Sequence, residues 1–395
     1  MKNDHLHDSL EFPKETKLVQ GLYSISIASI LASIIGYFVI EDKAQFFFSW
    51  LTAFAYIASI GLGALAFLVI QHVTRSKWSV VIRRIPEAIA ANLWVLALCF
   101  IPIAIGMGYL YHWTHTEVVE ADKLLQAKEA YLNIPFFIGR NVVYFLLWGF
   151  IGFRLYKKSV EMDNTADWGI QTGLRRLSGP MIPILGFSIA FASFDWLMSL
   201  DPHWFSTMFG VYFFAMSFQV LFPVMILITF YLHSKGLLTH TIGQSHIESM
   251  GKLFFGFTVF YAYIAFCQFM LIYYANIPEE TLWFEHRVDG GYIYLFITLL
   301  LGRFLVPFAL LLRKNNKTNK GILKFVSIWI LFIHAVELYW IVMPTHNHHL
   351  HFSVLDITTL VGLATLFLAL FFQRFKSSSM IPKNDPFLAD SLNQH

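Results

Sequence analysis

Ten apolar runs, each of roughly bilayer-spanning length, constrain this chain more than any other feature. They cover Leu18–Ile40, Phe46–Ile70, Pro86–Leu110, Pro135–Leu155, Leu177–Leu200, His203–Leu232, Leu253–Ile277, Gly290–Leu312, Ile322–Met343 and Phe352–Phe372. Charged residues make up 13% of the 395 positions and hydrophobic ones 57%, against about 25% charged in soluble domains. Such a chain cannot cover a water-facing surface with polar groups, so its expected solvent is lipid. Hydrocarbon offers the backbone no hydrogen-bond partner, and no period-two alternation suggests a barrel, so every run is expected to be a helix. The expected fold class is all-α: a polytopic membrane protein with ten transmembrane helices.

The basic residues sharpen this reading. With a cytoplasmic N-terminus, 21 of the 28 Lys and Arg fall in inner segments and 4 in outer loops, while Arg140, Arg303 and Lys324 lie within runs. A miscounted span would scramble the alternation, so the distribution predicts ten crossings and both termini cytoplasmic. One membrane domain over residues 1–395 is expected, its body at 18–374 between polar tails at 1–17 and 375–395. The opening MKNDHLHDSLEFPKETK is polar, and the first apolar run is expected to act as its own insertion signal. No connection is long enough for a soluble domain. Within the longest, EVVEADKLLQAKEAYL reads as a surface helix, and MIPKNDPFLADSLNQH reads as a tail docked on a partner or disordered. The net charge of +3 identifies no partner beyond the lipid bilayer, and no nucleic-acid partner is expected. Cys99 and Cys267 lie in separate apolar runs, expected to be small buried side chains; there is no CxxC pair for a cluster or zinc.

Within FDWLMSLDPHWFSTMFG, residues 194–210, two carboxylates and an imidazole stand among tryptophans. A charged group inside a span costs about 2.5–3.5 kcal/mol even on the lenient insertion scale, so each needs an account. At 1.5 Å per residue, Asp195 lies ~7 Å below the outer end of its helix, Arg140 and Asp356 at similar depth, and Glu337 ~9 Å down. His203 is expected to open the sixth helix at the same face, with Asp201 and Pro202 in the turn and Trp196 and Trp204 anchoring it at the interface. Two readings stand: an interfacial layer of ion pairs, with Arg140 neutralising Asp195 or Glu337, or a pocket that accepts and relays protons.

Deeper groups extend the second reading. His334 and Glu337, spaced i, i+3, share a helix face. Arg303 precedes the kink expected at Pro307, and it either joins a proton route with Gln219, Gln268 and Tyr263 or pairs with Glu337 as a structural tie. Glu87, following Pro86 at a helix start, suits a cap. The four histidines of THNHHLHF, residues 345–352, lack a Cys or carboxylate at ligand spacing and read as a solvated or partner-facing loop. No second His matches His334 in depth, which disfavours a haem.

The order DWLMSLDPHW–STMFG, the ten spans and the IPKNDPFLADSL tail resemble the polysulfide-reductase-C/NrfD-like membrane subunits of alternative complex III, a bacterial quinol:cytochrome c (or quinol:oxidase) oxidoreductase. The resemblance covers essentially the whole chain, and its SLDPHW form and length favour the F-type subunit over the C-type, which carries the quinol-oxidation site itself. It implies two four-helix bundles, helices two to five and six to nine, flanked by helices one and ten, in the bacterial inner membrane. It implies no covalently bound cofactor here, with menaquinol or another quinone as redox substrate. Haem c and iron–sulphur clusters would sit in partners: a periplasmic iron–sulphur subunit, haem c subunits, a sister NrfD-like subunit and a terminal oxidase. In that setting Asp195, His203, Arg140, Glu337, Asp356, His334 and Arg303 are the candidates for proton transfer or a quinol pocket. A secondary transporter, with its site near the midplane, and a purely structural membrane anchor are the rival classes.

Overall fold

The computed structural model describes residues 8–13, 17–165 and 167–393. The expected N-terminal tail therefore lies largely outside the described residues. Ten described helices are long and apolar enough to cross a membrane: α1 (Lys17–Val39), α2 (Lys43–Val73), α3 (Arg84–Ile105), α4 (Ile134–Met162), α5 (Trp168–Leu200), α6 (Met208–Ser234), α7 (Gln244–Ala275), α8 (Ile293–Leu312), α9 (Lys320–Thr345) and α10 (Val354–Phe375). β pairing among the described residues is confined to one bridge between Glu11 and Ser379.

Short polar side chains start several of these helices by accepting an otherwise orphaned backbone N–H. Asp42 accepts from Ala44 at 3.0 Å, Asn133 from Phe136 at 2.9 Å, Asp167 from Gly169 at 2.7 Å and Asn319 from Ile322 at 3.1 Å. Two helices are broken inside. In α3 the bonds from Asn92 to Ile89 and from Leu93 to Ala90 tighten the chain to i→i−3, and the Asn92 amide bonds back to the Ala88 carbonyl at 3.0 Å. In α8 the ladder widens to a π-turn over Leu300–Leu305. Pro307 explains it: the ring has no N–H and would strike the carbonyl four residues back, which belongs to Arg303.

The helix α2 is central, touching α3, α5, α6, α9 and α10, and α1 packs on α10 at the edge. The approach of α2 to α6 is close at Gly63, where a Cβ would sit 2.2 Å from the Ser217 carbonyl oxygen. Only glycine permits that backbone contact.

Both tryptophans expected at the interface are buried instead. Trp196 packs edge-on against Phe54 and Trp148, and Trp204 stacks on Trp283 with ring centroids 4.6 Å apart. The sixth helix starts at Met208, so His203 lies in the preceding turn and not at a helix start. The C-terminal segment is not a free tail: it returns to its own body. Met380 and Ile381 are buried, Asp385 pairs with Arg83, the Lys383 amide donates to Asp163 at 3.0 Å, and the Ser391 hydroxyl donates to the Trp78 carbonyl at 3.0 Å. Glu87, expected as a helix cap, sits fully buried in the same cluster between Arg83 and Arg84.

Besides the Glu11–Ser379 bridge, the described segment 8–13 is held by a carboxylate. Asp8 accepts from the His240 and Thr241 amides, both at 2.8 Å, and from the Thr241 hydroxyl at 2.9 Å. Burial pushes its pKa up, but these hydrogen bonds outweigh that and hold it below the usual carboxylate value. A depressed carboxylate stabilises the folded contact above its unfolded pKa of about 3.9 and loses that contribution as pH falls through the lower folded value. Amide exchange at His240 and Thr241, corrected for intrinsic rate, is expected to stay slow at pH 5 and accelerate on acidification below pH 4. Asp8→Asn should abolish that pH dependence; a pH-independent protection in the wild type would show that Asp8 does not hold this junction.

Candidate functional site

The centre of the second half is a fully buried carboxylate, Glu337 of α9. Its Oε1 accepts the hydroxyls of Tyr212 from α6 and Tyr261 from α7. Its Oε2 lies 3.2 Å from Arg303 Nη1, close enough for charge pairing but without hydrogen-bond alignment, and 3.8 Å from His334 Nδ1. The π-turn of α8 delivers Arg303 to this point, and its guanidinium lies over the Tyr261 ring at 4.8 Å. His334 reaches across to α2, where its Nε2 is 2.7 Å from the Ser59 hydroxyl and its ring packs on Tyr56. Four helices thus meet at one carboxylate, and a fifth, α2, is joined to it through His334. Glu337 Oε2, His334 Nδ1 and all three guanidinium nitrogens of Arg303 lack a hydrogen-bond partner.

Beside this cluster runs a crevice of about 600 Å³ between α7 and α8. Tyr212, Tyr261 and Gln268 are among its few polar linings, with Trp283, Phe296 and Trp340 supplying aromatic walls. Tyr263, Phe266 and Leu300 line it and also belong to the exposed surface, so it reaches the lipid-facing side. Gln219 does not reach the crevice; its amide donates to the Thr258 hydroxyl at 3.0 Å, one helical turn from Tyr261.

In the first half, Asp195 of α5 is also fully buried, but saturated. Arg140 of α4 grips it with two bonds, Nε to Oδ2 at 3.0 Å and Nη2 to Oδ1 at 2.8 Å. Tyr131 and Tyr144 add their hydroxyls at 2.9 Å and 3.0 Å. The guanidinium is stacked on the Tyr131 ring at 3.8 Å, and its Nη1 donates to the Tyr131 carbonyl. Four donors on two oxygens leave no free lone pair in the directions the site presents, the geometry of a lock.

The expected single layer of acids and bases is therefore divided. Arg140 meets Asp195; Arg303 and His334 meet Glu337; no ion pair joins the two groups among the described residues. Asp356 stands apart in the capping box that opens α10, where Ser353 is the cap; it accepts from the Ser353 amide at 2.8 Å, the Ser49 hydroxyl at 2.5 Å and Gln45 at 3.0 Å. His203 is half exposed in the turn before α6, its Nε2 2.5 Å from Asp122 Oδ2, and that bond holds the Asp122 carboxyl below the usual range. Depth along a helix fixes a residue's level, but its azimuth depends on how each helix turns toward its neighbours, and these residues turn to different neighbours.

That turn is clasped from both sides. Lys128 donates to the Pro202 carbonyl at 2.6 Å, and His286 Nδ1 lies 3.7 Å from Asp201 Oδ2. Arg287, fully buried, donates to the carbonyls of Trp283 and Ile341. Burial pulls it down to about 9, partly offset by Asp201, so it keeps its charge at neutral pH. The histidine loop is fastened mainly by backbone: the Leu350 amide donates to the Gly290 carbonyl at 2.8 Å, Tyr339 donates to the His351 carbonyl, and His346 pairs with Asp42 at 2.8 Å. Both cysteines are free, Cys267 only partly buried.

The tyrosines were the partners that sequence reasoning missed. Tyr144 stands four residues after Arg140, a spacing that places both on one helix face. For Tyr212 and Tyr261, 125 and 76 positions from Glu337, no local signal exists. Geometry and composition together define a multi-pass α-helical membrane protein with buried acid–base clusters. In comparisons with known proteins, no family model matches the chain and no curated protein sequence matches it.

Proposed function

We propose that the chain is an integral membrane subunit, F-type, of a quinol:cytochrome c or quinol:oxidase oxidoreductase of the alternative complex III kind, seated in the bacterial inner membrane with both termini cytoplasmic. Its packing supports the implied architecture: α2 to α5 and α6 to α9 each touch in series, and α1 with α10 flanks them. In this reading Glu337 handles protons released when quinol is oxidised, and haem c and iron–sulphur groups in partner subunits take the electrons. One observation carries it: the two oxygens of Glu337 face different surroundings, Oε1 toward the tyrosines at the crevice and Oε2 toward Arg303 and His334. A quinol ring entering the crevice from lipid would meet the Tyr212 and Tyr261 side chains. A proton received through either hydroxyl would move to Glu337 and leave past His334 and Ser59 toward α2. Arg303 stabilises the ionised form and sets the return. Of the seven candidates, Glu337, His334 and Arg303 share this route, while Asp195 and Arg140 hold α4 to α5.

The test is Glu337→Gln in the assembled complex, with quinol oxidation and proton release measured together. The amide keeps the size and the acceptor for the tyrosines but cannot take a proton. Coupled turnover is expected to fall about 100-fold, with His203→Gln, in a surface turn, close to wild type. Unchanged rate and proton stoichiometry in Glu337→Gln would remove the carboxylate from the mechanism. The interruptions in α3 and α8 favour a second reading, a secondary transporter with broken helices near the midplane; solute uptake by the protein alone in liposomes would select it.

A further inference from the structure

A second apolar recess, independent of the crevice beside Glu337, runs along the seam between α6 and α10, with α2 as its floor. Its volume is about 370 Å³, and its lining is almost entirely aliphatic and aromatic, from Tyr56 and Leu331 at mid-depth to Tyr231 and Phe372 at the ends of α6 and α10. Those ends are where the basic residues gather. Lys235 lies over the ring of Tyr231 at 5.9 Å, Lys17 directly precedes Leu18 in the lining, and Lys376 stands one helical turn beyond Phe372. None of the three has a carboxylate partner among the described residues.

The chemistry of an occupant follows from this combination. A 15 Å length of helix about 10 Å across displaces on the order of 1200 Å³, so the recess is too small for a partner helix. It is too apolar for a water-soluble anion, which would need the lysines but not the trench behind them. What fits both parts is one chain of hydrocarbon joined to a negatively charged head. We propose that this seam binds one anionic phospholipid, an acyl chain lying in the recess and the phosphate held among Lys17, Lys235 and Lys376. The tail end of such a lipid abuts Tyr56, whose ring packs on His334 with centroids 5.2 Å apart. The lipid would thereby brace the back of the Glu337 cluster as well as the junction of the two halves. Each lysine close to the bilayer surface contributes about fivefold to affinity for an anionic lipid.

The experiment uses the full chain in mild detergent, with phosphatidylglycerol as probe, phosphatidylcholine and inorganic phosphate as controls, and bound lipid counted by native mass spectrometry alongside a thermal melt. One phosphatidylglycerol is expected to be retained and to raise the melting temperature, while neither control does so. The variant Lys17→Gln/Lys235→Gln/Lys376→Gln should lose affinity on the order of 100-fold. Ala364→Phe, which fills the recess and leaves the lysines intact, should lose the bound lipid while still folding, as judged by an unchanged elution profile. Equal retention of both lipids, or retention unaffected in the two variants, would reduce the effect to annular lipid and overturn the proposal. Stabilisation by inorganic phosphate alone would overturn it in favour of a simple anion site.

Discussion

Replacing Glu337 with leucine is expected to destabilise the protein by about 3–5 kcal/mol, and replacing Glu337 and Arg303 together is expected to recover about half of that loss. Arg303 is 1% exposed, and Glu337 is the carboxylate within its reach. Without it the guanidinium keeps only the Tyr261 ring beneath it, and its three nitrogens have no hydrogen-bond acceptor to fall back on. An uncompensated buried cation is the costly state; an apolar pair of similar size is not, because the desolvation of both charges disappears together. Tyr212 and Tyr261 lose their acceptor as well, about 1 kcal/mol each, and this part the double variant does not restore. Denaturant titration in detergent over the four-member cycle gives the coupling directly. A coupling near zero would mean that the 3.2 Å pair is not felt in the fold. Asp195→Ala should be milder, although Asp195 has more donors. Arg140 retains 10% exposure and the Tyr131 carbonyl, so it can turn its charge toward the membrane rim.

The membrane architecture was legible because it rests on quantities that survive without tertiary information. Hydrocarbon length, the period of basic residues between runs, and the cost of bare backbone in lipid together predicted ten helices, and ten of spanning length stand among the described residues. What composition could not rank was the place of each helix. The runs of α1 and α2 are both apolar enough to span a bilayer, yet one lies at the edge and the other at the centre. In lipid an apolar side chain is equally at home on either surface, so the moment that reveals a buried face in a soluble helix vanishes. The pairings of Arg303 with Glu337 and of Arg140 with Asp195 were visible as options, since unlike charges at similar depth in lipid must find each other. Their tyrosine partners were not, because an aromatic residue in a span carries no sign of what its hydroxyl will meet. The SLDPHW turn was misjudged for a related reason. Tryptophan near a helix end usually marks the interface, but here the loop holding Trp283 closes over Trp204 and buries both.

The C-terminal segment offers the second large effect, and its sign follows from counting charges. Arg83 and Arg84 face three carboxylates, Glu87, Asp163 and Asp385, all of them mostly or wholly out of solvent. Burial raises Asp163, with Arg84 and the Lys383 amide opposing it, and two arginines stand against three acids in this cluster. Arg83→Met would leave Arg84 to serve all three, and a loss of about 3–5 kcal/mol is expected. Part of the tail's hold should go with it, since the Asp385 carboxylate then keeps only the Phe387 amide at 2.8 Å, within the tail itself. Asp385→Asn, by contrast, removes the surplus negative charge and leaves Arg83 bonded to Glu87 at 3.0 Å, so it should cost about 1 kcal/mol, a hydrogen bond weakened but not orphaned. Combining the two should restore part of the stability lost in Arg83→Met. Limited proteolysis after Lys383, together with exchange of the Lys383 amide, reads the tail independently of the global melt. If Asp385→Asn frees the tail as fully as Arg83→Met does, a specific contact and not charge balance holds the segment, and the two arginines are then anchors of one strap and not the counter-ions of a buried acid cluster.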